Sequence, residues 1–178
     1  MALKVTRSIL LASIVVLTAA TLAPVLVAAQ TYSVSFMVAG LPPGLRTRYY
    51  VDYMLNGTIQ TGDTKRLNFT QGRTHTLSVD LNVGEGNGTK YQCRDNLWSF
   101  ADAGTHTFTY KTQYYLQVVS AYGSPSGTDW YDKGATAYAR LATNVTAGPE
   151  GVRYVLVRWE GDASGQAIVS EPMIMDRA

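Results

Sequence analysis

Residues 31–38 read TYSVSFMV, and their alternation decides the fold class: Tyr32, Val34, Phe36 and Val38 fall on one face of an extended chain, Ser33 and Ser35 on the other. Successive side chains of a strand point to opposite faces, so the pattern marks a half-buried strand. The same period returns at Tyr49, Val51, Tyr53 and Leu55, and at His75, Leu77, Val79 and Leu81. It returns at His106, Phe108 and Tyr110 against Thr105, Thr107 and Thr109, and then at Tyr114, Leu116 and Val118. In the last run Tyr154, Leu156 and Arg158 oppose Val155, Val157 and Trp159. Glycine and Asx clusters at residues 41–44, 56–57, 84–88, 124–127 and 161–165 punctuate the runs as turns do. Twelve Tyr, three Trp and abundant Thr and Val suit pleated surfaces. The expectation is an all-β chain of seven or eight strands with no helix beyond the N-terminal segment.

That segment, residues 1–29, opens with Lys4 and Arg7 and then carries no charge from Ser8 to Ala29. A basic flank, an apolar run and the small residues before Gln30 form an export signal. Two outcomes are open. Cleavage before Gln30 releases the chain, whereas retention leaves residues 8–29 as an anchor, since about 20 apolar residues cross a bilayer. Removing residues 1–29 takes two of the 15 basic residues and none of the 13 acidic ones, so the mature chain is formally neutral. Its Lys and Arg are scattered among carboxylates, which argues against a nucleic-acid partner.

The mature chain divides into residues 30–111 and 112–178, one or two β-sandwich modules of Ig-like type. The boundary has no Pro, Gly or Ser linker, so a strand can pass from one block to the other without a hinge. The motif VSFMVAGLPPG (residues 34–44) is similar to repeats of archaeal S-layer-like and secreted proteins that begin with a GLPxG turn. The motifs QYYLQV (113–118), GTDWYDKGATA (127–137) and RYVLVRWEGDASG (153–165) resemble a divergent β-repeat of archaeal and bacterial surface proteins, grouped with internalin B-type repeats.

The resemblance implies a further strand after residues 175–176, where this sequence ends at SEPMIMDRA. Two or three missing inward side chains would remove roughly 5 kcal/mol of burial, comparable with the about 5–15 kcal/mol net stability of a small domain. Three remedies are open. The first block closes the second, or residues 31–38, freed by cleavage, add to a neighbouring copy. Otherwise residues 170–175 are themselves the final strand, with Pro172 at an edge.

Chemistry-bearing residues are sparse. His75 and His106 sit in strand patterns without a third ligand, and neither HExxH nor CxxC occurs. Cys93 is a single unpaired thiol, either buried or linking two chains. No GxSxG elbow exists, and the loops at residues 84–88 and 161–165 carry one carboxylate each, too few for calcium. No catalytic residue, metal or cofactor is expected. Asp129 and Asp132 flank Trp130 and Tyr131, a candidate contact for carbohydrate or else simply a strand after a loop. Asn56, Asn68, Asn87 and Asn144 head Asn-x-Thr sequons, candidate glycosylation sites in or beside turns.

These features point to an exported, extracellular or cell-surface protein that is structural or adhesive, a surface-layer or filament subunit assembled by β-strand donation. Its expected partners are further copies or other surface proteins. The competing expectation is a non-catalytic module that binds carbohydrate or protein. The membrane enters only through residues 8–29, if uncleaved.

Overall fold

The computed structural model describes residues 30–177, which form strands, turns and loops with no helix. The signal and anchor expectations for residues 1–29 lie outside the described residues. The first ten strands are β1 (Thr31–Ala39), β2 (Arg46–Val51), β3 (Met54–Gln60), β4 (Thr64–Thr70), β5 (His75–Val79), β6 (Asn82–Gly86), β7 (Thr89–Gln92), β8 (Leu97–Phe100), β9 (Gly104–Thr109) and β10 (Lys111–Leu116). Seven shorter ones follow: β11 (Pro125–Ser126), β12 (Asp129–Asp132), β13 (Thr136–Ala137), β14 (Arg140–Leu141), β15 (Val145–Ala147), β16 (Arg153–Val155) and β17 (Met173–Ile174).

β1 is the middle strand of a sheet ordered β4-β1-β9, antiparallel to β4 and parallel to β9. A second sheet, ordered β3-β2-β5-β8, covers its inward face. Val34, Phe36 and Val38 point between the sheets against Tyr49, Ile59, Leu77, Val79 and Phe108. Phe36 is fully enclosed, 5.1 Å from the Tyr49 ring and 6.2 Å from that of Phe108. With both edges hydrogen-bonded and its apolar face in the core, β1 is no spare strand. The expectation that residues 31–38 add to a neighbouring copy is therefore replaced by pairing within the chain.

Tyr110 separates β9 from β10 and turns the chain from one sheet into another. Its amide donates to Ala39 O at 2.9 Å, and its buried hydroxyl meets Thr47 Oγ1 at 2.8 Å and the Asp80 carbonyl. Burial pushes the phenol pKa up. Gly40 lies against it at φ +86°, where an added Cβ would stand 2.0 Å from Tyr110 O, so only glycine fits. Beyond Tyr110, β10 joins a sheet ordered β12-β10-β7-β6. Residues from both sides of position 111 thus share one ladder.

In the remaining chain, residues 168–175 run antiparallel to residues 134–141. Ile168 O accepts from Leu141 N at 2.8 Å, Ala137 faces Met173, and Met175 N donates to Ala135 O at 2.9 Å. Met173 and Met175 are buried while Pro172 is exposed. Met173–Ile174 within this segment thus pair inside the chain, as the third remedy has it, while β7 of the first block pairs with β10, as the first remedy has it.

Three expected strands differ. Residues 49–55 do not form one strand, because Asp52 (φ 48°) and Tyr53 (φ 66°) make a tight turn between β2 and β3. Both central residues have the positive φ of the hairpin turn that matches strand twist. Tyr53 and Leu55, expected inward, are exposed. Residues 117–120 and 156–160 belong to no strand, although their sequences alternate.

Phe36→Ala is expected to cost about 3–5 kcal/mol, read as a fall in the urea midpoint at unchanged slope. A loss below about 1 kcal/mol would show that the two sheets do not pack on this ring.

Candidate functional site: a polar and aromatic sheet face

Alternation along β12 separates the four residues expected to act together. Trp130 and Asp132 lie on one face, Asp129 and Tyr131 on the other. Asp129 Oδ1 accepts from the Trp130 amide at 2.7 Å, and the Tyr131 hydroxyl donates to Gly127 O at 2.9 Å. Both thus serve the local backbone. Residues 129–132 do not form one platform, since a strand cannot present consecutive side chains to one ligand.

Trp130 and Asp132 instead join residues from β7 and β10. Trp130 faces Tyr115 across the ladder, with ring centroids 5.1 Å apart. The Lys90 ammonium lies 4.5 Å from the Trp130 ring centroid. Lys90 is only 9% exposed and forms no ion pair among the described residues, so the indole face is its principal partner. Asp132, Gln113 and Lys90 stand in one row across three strands. Gln113 Nε2 donates to Asp132 Oδ1 at 2.6 Å, and Arg94 reaches the same oxygen at 3.4 Å. Arg94 Nε donates to Gln92 Oε1 at 3.2 Å, and Gln92 Nε2 to Asn82 Oδ1 at 3.3 Å. Gln113 is 4% exposed, and its Oε1 is buried without a donor. Lys111 shares this face by its place in β10. The face therefore holds three cations, Lys90, Arg94 and Lys111, against one carboxylate, Asp132.

Only Trp130 and Asp132 of this group were singled out in the sequence. Lys90, Gln92 and Arg94 do recur at every second position, a strand signal with polar residues on both neighbouring rows. What joins them to Tyr115 and Trp130 is the pairing of three strands.

The histidines occupy separate sheets. His75, on β5, is 3% exposed, packs 4.5 Å from the Phe69 ring centroid and contacts Asp52 Oδ2 through Nδ1 at 2.8 Å. The Asp52 carboxyl is held below its ordinary pKa by the Thr76 amide, with partial burial opposing and His75 adding. The contact pins the β2–β3 turn to β5. His106, on β9, stacks on Trp98 at 5.1 Å and 13°, and burial lowers its pKa. Among the described residues no three His, Cys, Asp or Glu gather as a metal group.

All four sequon asparagines are exposed. Asn56 is the extra residue of a bulge in β3, and Asn87 (φ 50°) tips the β6–β7 hairpin. Asn144 precedes β15. Asn68 stands within edge strand β4 rather than in a turn, and its carbonyl accepts from the Ser33 hydroxyl, leaving the amide nitrogen to solvent.

Cys93 is wholly buried beneath the sandwich, and burial first, then the Asp95 charge, push its thiol from 9.0 up to about 11. An interchain disulfide from the folded chain is therefore blocked. The native protein is expected to resist alkylation at pH 8 and to react fully once unfolded. Because the folded thiol keeps its proton longer than the unfolded one, stability should be intact below pH 9 and decline as pH rises toward 11. Rapid labelling of the native protein, with no loss of structure, would contradict this burial.

No family model, curated protein or solved structure matches this chain, so the contacts themselves carry its functional reading.

Proposed function

We propose that this chain is an exported, non-catalytic β-sandwich protein of the cell surface, a structural or adhesive subunit that assembles by β-strand addition. The observation that carries the reading is a cleft of about 550 Å³ bounded by residues 117–120 and 156–160. Leu116, Val118, Leu141, Leu156 and Trp159 line it. Both bounding segments lie outside any strand; Leu156 N donates to Asn144 O, Trp159 N to Gly165 O, and Thr128 Oγ1 accepts from the amide of Val118 and donates to its carbonyl, while the amide of Val157 has no backbone acceptor among the described residues. Apolar side chains beside free backbone groups are what an added strand uses: main-chain hydrogen bonds supply affinity and pockets take alternate side chains. A head-to-tail contact of this kind propagates into a filament or layer unless it closes into a ring.

The occupant is an extended segment of a second copy other than β1, whose edges are taken. The export signal of residues 1–29 accounts for delivery, and the four exposed sequons suit an extracellular glycoprotein.

Val157 is 75% exposed, so Val157→Pro removes a backbone donor from the open segment without disturbing the core. Light scattering and electron microscopy of the wild-type protein should show concentration-dependent oligomers or regular polymers. The variant should stay monomeric with unchanged tryptophan fluorescence. A wild-type protein that remains monomeric, or a variant that assembles equally well, would overturn the reading.

A further inference from the structure

The sheet face built by β7, β10 and β12 lies beside that cleft and shares Tyr115 with its lining, whereas Lys90, Arg94, Lys111, Gln113, Trp130 and Asp132 do not line it. We propose that this face is a binding site for an acidic saccharide, a chain of uronic-acid units. Three features select that class. Tyr115 is 39% exposed beside Trp130 and offers an apolar ring surface to the C–H face of a sugar. Arg94 and Lys111 are exposed cations on the same face, and an Arg fork suits a carboxylate. Gln92, Asp132 and Asn82 present a row of amide and carboxylate groups that can exchange their mutual contacts for hydroxyls.

The buried, donorless Oε1 of Gln113 is the second, independent pointer, since an unpaired buried acceptor is costly. A ligand hydroxyl donated to that oxygen would satisfy it. From Lys111 to Tyr115 the strand advances about 13 Å, wider than one pyranose ring, so the site takes an oligosaccharide rather than a monosaccharide.

The test uses trigalacturonate as probe and cellotriose, neutral and of equal length, as control, titrated into the folded chain by calorimetry with indole fluorescence as a second readout. Trigalacturonate should bind and shift the Trp130 emission, with cellotriose at least about tenfold weaker, the difference expected for charge-assisted hydrogen bonds. Arg94→Ala and Tyr115→Ala alter exposed side chains outside the sandwich core, and each should weaken binding by about tenfold or more while leaving the urea midpoint in place. Failure of both sugars to bind at millimolar concentration would overturn the proposal. Equal affinity for the two, or retention of affinity in both variants, would overturn it as well. Because Val157→Pro leaves this face intact, loss of assembly and loss of saccharide binding are separable.

Discussion

The two edges of β1 organise everything else in this chain. β4 pairs with one and β9 with the other. β4 follows β3 after a short turn that crosses from one sheet to the other, but the parallel partner β9 must come from some 70 residues further on, after the whole opposing sheet has been laid down. Closing so long a loop is costly in chain entropy, and the burial of Val34, Phe36 and Val38 is what offsets it. Without β1, neither Phe108 nor Phe69 has a core to enter.

The same pairing fixes where the second part of the chain begins. Because β9 is locked beside β1 through Ala39 and Thr109, the next residue, Tyr110, is delivered under Gly40 with its hydroxyl on Thr47 and Asp80. β10 leaves from that point and collects β7 on one side and β12 on the other. The polar face of Lys90, Gln113, Asp132 and Trp130 is thus a consequence of the sandwich, set by the same residues that hold its core. Farther along, the ladders shorten to two or three residues, and alternating segments are left with free edges. The chain is tightly specified around β1 and loosely closed around residues 117–160.

How far the sequence foretold this depends on which interactions are local. The strands at Tyr32–Val38, His75–Val79 and His106–Phe108 are legible because a period of two reports burial on one face directly. The extended run of residues 104–116 is legible as well, from the lack of any breaker there, but its division at Tyr110 into strands of two sheets is not. The β2–β3 turn is not, because Asp-Tyr at positive φ carries none of the Asn-Gly chemistry that announces such turns. Nor is the sheet face, since Lys90 and Gln92 meet Gln113 and Trp130 only through strand pairing, and residues 129–132 read in isolation suggest a platform that alternation forbids. The unpaired state of residues 156–160 is the reverse case: their pattern states what they would do with a partner strand and says nothing of whether one is present.

Hydrogen exchange of the folded protein, residue by residue, tests most directly whether β1 holds the fold together from within its own chain. The amides of β1 should exchange in the slowest class, together with those of β5 and β9, at the free energy of global unfolding. Residues 117–120 and 156–160 should exchange far faster. Fast exchange along β1 while β5 and β9 stay protected would mean that the strand is free to leave its sheet, and would contradict the account.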